Sequence, residues 1–158
     1  MLRVFFTKKH TMKIERVTHI NETIISAFEK LIPELTKEKD RIPTKKDLQK
    51  VVSSENNYLF IATEGFEIFG TLTLVFYWVP SGVKTWIEDV IVDDSARGKG
   101  VATALMWHAI NLAQKKGAEK VDLSSRPWRE AANNMYLKMG FEKRDSNMYR
   151  LYLNKEKE

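Results

Sequence analysis

The period of the hydrophobic pattern switches between strand-like and helix-like several times in the first half of the chain. Four segments with strand-like patterns, bounded by turn residues, predict strands at residues 13–17, 58–63, 67–79 and 83–92. Apolar residues at helical spacing from Ile24 to Leu35 predict a helix after the first strand, with Asn21 as its N-cap. Thr44 and Asp47 resemble a capping box and predict a second, shorter helix.

In the second half of the chain, a long helix and a shorter one alternate with strands. The apolar period is helical from about residue 99 to residue 116, and Gly117 follows at the C′ position. Four more elements are predicted after it, in the order strand, helix, strand and strand, at residues 121–124, 127–139, 141–143 and 147–153. The predicted element order is β-α-α-β-β-β-α-β-α-β-β, which is a mixed α/β sandwich.

Composition fits a single globular domain. A chain of 158 residues can bury one sizeable core, and we assign one domain to residues 12–153. Residues 1–11 are then an extension with no assigned role, and residues 154–158 a frayed tail. Because the chain has no cysteine and only three scattered histidines, neither a disulfide nor a metal site is predicted. No long apolar run and no signal-peptide pattern is present, so a cytoplasmic protein without a membrane partner is expected.

The net charge of +5 does not by itself indicate a nucleic-acid partner. Lysine and arginine are interleaved with glutamate and aspartate, as in residues 37–41, which is typical of a solvated surface. We therefore expect no nucleic acid as a partner. An anionic cofactor would account for part of the positive excess.

The boundary between the strand at 83–92 and the long helix has the features of a phosphate-binding loop. The apolar β-branched run at residues 90–92 is followed, five residues later, by Arg97-Gly98-Lys99-Gly100 and then by the helix. The two glycines permit a positive φ and leave room for a ligand, while the helix contributes unpaired N–H groups and the positive end of its dipole. Arg97 and Lys99 add positive charge. This stretch predicts a site for a phosphate or pyrophosphate.

A second group of polar residues lies on the helix predicted after Pro127. Arg129, Asn133 and Tyr136 recur at i, i+4 and i+7, so they form one stripe. The stripe could follow an extended polar ligand, or it could be an ordinary exposed helix face. The spacing alone does not decide between these two interpretations.

Both groups resemble signatures of the GNAT superfamily of N-acetyltransferases. Residues 97–102 match its acetyl-CoA-binding motif, Arg/Gln-x-x-Gly-x-Gly/Ala, and residues 132–141 are similar to its second signature, Ala-x-x-x-Tyr-x-x-x-Gly-Phe. Arg97 and Tyr136 lie 39 residues apart, as in many members. The resemblance covers about residues 12–153 and implies a mostly antiparallel sheet flanked by helices. Arg129 departs from the pattern, because many members carry asparagine at that position.

The resemblance implies direct transfer of an acetyl group from acetyl-CoA to a primary amine in a ternary complex, without a metal. The N–H groups of residues 98–103 would hold the pyrophosphate. The strand end at residues 90–92 would split from the strand at 121–124 to admit pantetheine, and an N–H of Val90 or Val92 would polarise the thioester carbonyl. The implied cofactor-binding residues are Val90, Ile91, Val92, Arg97, Gly98, Lys99, Gly100, Val101, Ala102, Thr103, Arg129, Asn133 and Tyr136.

The resemblance also assigns catalytic roles. Tyr136 corresponds to the family's usual general acid, which protonates the departing thiolate. Glu88 and Asp89 stand where members often carry a carboxylate base, and in a regular strand only one of them can face the cleft unless a bulge intervenes. We prefer Glu88 over Asp89 or a water molecule. His108 is interpreted as a surface or satisfied histidine.

Three questions stay open at the level of sequence. The alternative to an enzyme is a CoA-binding regulatory or interaction module that kept the fold but lost catalysis. The acceptor amine could belong to a small molecule, an amino sugar, an antibiotic or a protein, and its pocket would be lined by residues 33–43, 76–78 and 146–149. The sequence does not decide whether the protein forms a homodimer.

Overall fold

The computed structural model describes residues 11–35 and 41–153. These residues fall into two compact units that meet in the sequence between Ser124 and Ser125. The second unit contains one helix, α4 (Glu130–Lys138), and a short 3₁₀ turn at Asp94–Ala96 belongs to the first. The other elements of the first unit are β1 (Lys13–Arg16), α1 (Glu22–Leu35), α2 (Lys45–Ser53), β2 (Asn57–Glu64), β3 (Glu67–Val79), β4 (Gly82–Val92), α3 (Val101–Lys115) and β5 (Asp122–Leu123).

The starts of α1 and α2 are fixed by side chains, as predicted. The Asn21 side-chain oxygen accepts a hydrogen bond from the Ile24 N–H at 2.9 Å. At α2, Thr44 and Asp47 bond reciprocally to each other's backbone N–H groups, which is the predicted capping box. Pro33 lies inside the last turn of α1, which ends two residues later.

The five strands form one sheet in the order β1-β2-β3-β4-β5. Strands β1 to β4 pair with one another in antiparallel fashion, whereas β5 runs parallel to β4. The prediction of a mixed, mostly antiparallel sheet is therefore confirmed. Helices cover both faces, because alternate residues of β2 contact different helices. Phe60 packs edge-on against the ring of His108 in α3, while Leu59 and Ile61 join the core beneath α1 and α2.

Close approach of α3 to the sheet depends on Gly70 in β3. A Cβ atom at this position would lie 2.9 Å from Val101 Cγ1, closer than packed carbon atoms come, and 3.2 Å from Leu105 Cδ1, which is a tight contact. Val101 and Leu105 are buried at the start of α3. Gly70 thus brings the beginning of α3, and the loop before it, down onto β3 and β4.

The prediction of two strands at the end of the chain is wrong. Residues 141–153 contain neither helix nor strand, and Tyr149 and Leu151 in the alternating apolar run are 88% and 83% exposed. A strand forms only when a neighbour accepts its ladder hydrogen bonds, and no strand of the described residues pairs with this segment. The apolar alternation alone was an insufficient signal.

Some predictions fall wholly or partly outside the described residues: the extension at 1–11, of which only residue 11 is described, the tail at 154–158, and residues 36–40 of the predicted acceptor connector. The single domain at residues 12–153 stays a prediction. Within the described ranges, no helix is long and apolar enough to cross a membrane. No group of three or more histidine, aspartate or glutamate side chains there is placed to hold a metal ion.

Candidate functional site

The junction between β4 and α3 has a backbone fixed by local hydrogen bonds. The Asp93 N–H donates to the Phe69 carbonyl at 2.9 Å, and the Asp93 carboxylate accepts the Ser95 N–H at 2.9 Å. The hydrogen bonds that Ser95 donates to the Asp93 carboxylate hold the pKa of Asp93 below its usual range, so this capping carboxylate stays ionised at neutral pH. The chain then passes through the 3₁₀ turn and reaches the glycine loop in a defined position.

Gly98 and Gly100 both adopt the left-handed conformation, with φ of 74° and 78°. A Cβ at either position would meet no heavy atom within 4 Å, so the glycines are required by backbone conformation rather than by internal packing. Gly100 is also the N-cap of α3 and has no side chain to accept the first N–H groups of the helix. The first intrahelical bond seen at this end runs from the Ala104 N–H to the Gly100 carbonyl. The N–H groups of residues 101–103 are therefore among those that an anion can take.

The two cations of the loop have different surroundings. Arg97 forms ion pairs with Glu34 at the end of α1, where the nitrogen–oxygen distance is 2.7 Å, and with Asp94 in the 3₁₀ turn. Lys99 is exposed and forms no ion pair with any described residue. Burial and the neighbouring Asp94 raise the pKa of Glu34, although the charge of Arg97 opposes this effect. Both cations were predicted cofactor ligands, but only Lys99 carries an unpaired charge.

A β-bulge interrupts β4 where the carboxylates lie. Thr73 is opposite Glu88 and Thr71 is opposite Ile91, so two steps along β3 face three steps along β4. The extra residue lies at Asp89–Val90, and Asp89 has a positive φ of 50°, the one such non-glycine residue in the described chain. The bulge that the sequence left open is present. It ends the simple alternation of faces, so Glu88 and Asp89 need not point to opposite sides.

Just before the bulge, β4 separates from β5. The parallel pairing consists of Trp86 with Asp122 and Ile87 with Leu123, and it stops there. From Glu88 to Val92, the edge of β4 that faces away from β3 has no strand partner among the described residues. The predicted split is therefore present. Ile91 is 4% exposed, so among the predicted contacts of this strand end it can offer only its backbone.

Glu88 has an environment suited to proton transfer. Its side chain lies on the same face of β4 as Trp86, two residues earlier, on the face of the sheet covered by α1. Burial, and secondly the charge of Asp89, raise the pKa of Glu88, while the Trp86 side chain acts as a donor that lowers it. The Trp86 Nε1 is buried and makes no hydrogen bond of ordinary geometry, so its interaction with Glu88 is a weak one.

The remaining three predicted residues belong to the second unit. Arg129 is the N-cap residue of α4, and Asn133 lies one turn into the helix. The Asn133 amide donates to the carbonyls of Arg126 at 3.0 Å and Pro127 at 3.3 Å. Its two donors therefore close the turn before α4. Sequence reasoning missed this role, although an amide one turn into a helix that follows proline could have indicated it.

Tyr136 is partly buried on α4. Its ring packs edge-on against Phe141 with 5.9 Å between centroids, and its carbonyl accepts the Phe141 N–H. Burial raises the pKa of the Tyr136 phenol, opposed by the positive charge of Arg129. The phenol therefore keeps its proton at neutral pH and can act as a donor.

Of the predicted acceptor-pocket aromatics, Phe76 is in the core and Trp78 is 66% exposed. Both line a cleft of about 560 Å³, whose other walls are Glu55, Asn56, Tyr58 and Lys116. The cleft includes the start of β2, the end of β3 and the C-terminal end of α3. The glycine loop lies at the other end of α3, so this cleft is not continuous with it.

Comparison with known proteins gives a consistent result. The model of the acetyltransferase (GNAT) family matches residues 21–141. N-alpha-acetyltransferase 30 of Schizosaccharomyces pombe is 36% identical over 72 residues, which are 46% of this chain and 47% of that protein. An uncharacterized N-acetyltransferase of Methanocaldococcus jannaschii is 36% identical over 59 residues, 37% of this chain and 26% of that one. The chain thus spans less than half the length of these curated relatives.

Among solved structures, an aminoglycoside N-acetyltransferase, AAC(6′)-Iy, in complex with CoA has a similar fold. The TM-score is 0.76 with 18% sequence identity, over 93% of this chain and 98% of that one. At this identity the likeness concerns the fold alone.

Proposed function

The chain belongs to the acetyltransferase (GNAT) family, and we propose that it transfers the acetyl group of acetyl-CoA directly to a primary amine. The observation that carries this proposal is one continuous piece of backbone. Strand β4 bulges at Asp89, leaves β5 after Ile87, and runs into a glycine loop at the N-terminus of α3. A bulge with a free strand edge suits a thioester, and the adjacent helix terminus suits a diphosphate.

Acetyl-CoA fits the residues present. The N–H groups of residues 98–103 would bind the pyrophosphate, and Lys99 would add a side-chain cation. The pantetheine arm would lie along the free edge of β4 between Glu88 and Val92. There an N–H of Val90 or Val92 would polarise the thioester carbonyl, which develops negative charge as the amine attacks.

The proposed reaction needs two proton transfers. The acceptor ammonium loses a proton to Glu88, directly or through water, and the free amine attacks the carbonyl carbon of the thioester. The new C–N bond forms as the C–S bond breaks, and the Tyr136 phenol protonates the departing thiolate. A carboxylate whose pKa is raised, as that of Glu88 is, is a stronger base than an ordinary carboxylate.

An amine acceptor is supported by what the similar proteins are called. One relative is an N-alpha-acetyltransferase and the structural neighbour is an aminoglycoside N-acetyltransferase, so both names specify acetylation at nitrogen. The two acceptors differ greatly in size, and a primary amine is the group that we carry over to this chain.

The test is a thiol-release assay with acetyl-CoA and a panel of amines, comparing the wild type with Tyr136→Phe. Removal of a general acid is expected to lower kcat by about 10²-fold or more. Tyr152→Phe is the matched control, because Tyr152 is 57% exposed in the same unit and lies outside the predicted acceptor pocket, so kcat should stay unchanged. Equal kcat in Tyr136→Phe and wild type would remove the phenol from the mechanism. Binding of acetyl-CoA without thiol release from any amine would favour a binding module instead.

A further inference from the structure

The Arg97 side chain bridges two carboxylates from different elements. One terminal nitrogen lies 2.7 Å from a Glu34 oxygen in the last turn of α1, and the other pairs with Asp94 in the 3₁₀ turn. A guanidinium holds two carboxylates well because its donors are planar and fixed relative to one another. Both terminal nitrogens of Arg97 are therefore engaged within the protein.

The charges of the cluster explain why Arg97 is needed there. Asp94 raises the pKa of Glu34 through a side-chain hydrogen bond and, less strongly, through its charge, so the two carboxylates are close together and repel each other when both are ionised. Arg97 lies between them and offsets that repulsion. Its own charge is thereby neutralised, which leaves Lys99 as the loop cation without a carboxylate in the described chain.

The two glycines of the loop between Arg97 and α3 contribute no side-chain packing that would hold it in place. Glycine has more conformational freedom in the unfolded chain than any other residue type, so ordering Gly98 and Gly100 is costly. A Cβ atom added to either residue would have no heavy atom within 4 Å outside its chain neighbours. Packing therefore supplies little order at these two positions. The contact between Arg97 and Glu34 joins the start of this loop to a helix 63 residues away in sequence.

We propose that Arg97 and Glu34 form a clasp that positions the glycine loop, and that Lys99 is the side-chain cation that meets the CoA phosphates. The ligand in this assignment, CoA, rests on the proposed function, whereas the clasp itself does not depend on that function. Arg97 and Glu34 are positioning residues: they act on the cofactor through the backbone of residues 98–103.

The clasp is tested first without ligand, by thermal unfolding of Glu34→Gln, Arg97→Gln and the double variant. An exposed ion pair is worth little, so each single variant should lower Tm by about 1–4 °C. The double variant should be no less stable than the worse single one, because both changes remove the same contact. Additive losses of Tm would overturn the clasp. Glu29→Gln, on the same helix without a contact to Arg97, is the control for charge.

The second test is calorimetric titration with CoA at several salt concentrations. A clasp predicts that Arg97→Gln and Glu34→Gln weaken CoA binding by a similar factor of about two to five. Lys99→Gln should weaken binding and also reduce its salt dependence. If Glu34→Gln instead tightens CoA binding while Arg97→Gln weakens it, Arg97 is a direct phosphate ligand and the proposal is wrong. If the wild type binds no CoA, the proposed function fails, and the Tm cycle still decides on the clasp.

Discussion

The loop at residues 97–103 and the polar stripe on α4 were both recognised from short sequence patterns, yet they differ in how the structure uses them. In the loop, the predicted property is a backbone conformation, and Gly98 and Gly100 have the positive φ that the pattern requires. In the stripe, the predicted property is what side chains contact, and Asn133 uses its amide within its own turn. Backbone roles are set by the residue itself, whereas side-chain roles depend on neighbours.

The same dependence of side-chain roles on neighbours separates the two cations of the loop, which are two residues apart in sequence. Arg97 and Lys99 look equivalent in the sequence, but Arg97 is bound to Glu34 from α1 and Lys99 is not. Asp94 lies three residues before Arg97 and could have been foreseen as its partner. Glu34 could not, because only the folded sheet brings the end of α1 to the loop.

The largest expected effect concerns a side chain whose role depends on its neighbours. Glu88→Gln should lower kcat by about 10²-fold or more in the thiol-release assay, because the base is removed. Asp89→Asn is the matched comparison on the same bulge and should have a much smaller effect. If Asp89→Asn causes the larger loss, the two carboxylates exchange roles.

The raised pKa of Glu88 gives this prediction a second readout. A carboxyl whose pKa is higher in the folded state stabilises the protein fully only below its unfolded pKa. That contribution is lost as pH rises through the folded pKa, so the ionised carboxylate is less favourable in the folded state than in the unfolded state. Glu88→Gln should therefore unfold at the same or a higher Tm than wild type at pH 7, while losing activity. A marked fall in Tm would indicate a structural role.

Much of the fold was predictable because its determinants are local. The caps of α1 and α2 and the glycine after α3 each follow from one or two residues. The C-terminal strands were predicted wrongly because strand formation depends on a partner that the pattern does not specify. The bulge at Asp89 was only a possibility in the sequence, since it arises from the register of β4 against β3.

The next effect in size concerns the backbone. Gly100→Ala adds a side chain at φ 78°, where a left-handed residue costs roughly 1–2 kcal/mol. Because the added Cβ would contact no atom within 4 Å, this cost comes from the backbone conformation and not from a clash. We expect the loop to adopt another conformation and the affinity for CoA to fall about tenfold.

Gly82→Ala is the control for this experiment. Gly82 also has a positive φ, of 112°, and an added Cβ would meet open space there, but it is the first residue of β4, directly after the turn that follows β3. Gly82→Ala should lower Tm without weakening the binding of CoA. Equal loss of CoA affinity in both variants would mean that the glycine loop has no special part in binding.

A smaller effect is expected at Asn133. Asn133→Ala removes two hydrogen bonds that close the turn before α4, each worth about 1 kcal/mol or less when exposed. Tm should fall by about 2–4 °C, while affinity for CoA stays within about twofold. Asn134→Ala, on the exposed side of the same helix, should change neither. A loss of CoA affinity in Asn133→Ala at unchanged Tm would support the ligand role predicted from sequence.

The smallest effect is expected at Trp86, where the neighbour acts on the base rather than on the substrate. The indole N–H lowers the pKa of Glu88, so Trp86→Phe should raise that pKa and move the acidic limb of the activity profile to higher pH. Activity on the alkaline side of the limb should be retained, because the carboxylate itself is intact. Trp107→Phe, on α3, should leave the profile in place. A uniform loss of activity at every pH in Trp86→Phe would show that Trp86 serves packing alone, and that burial and Asp89 set the pKa of Glu88 without it.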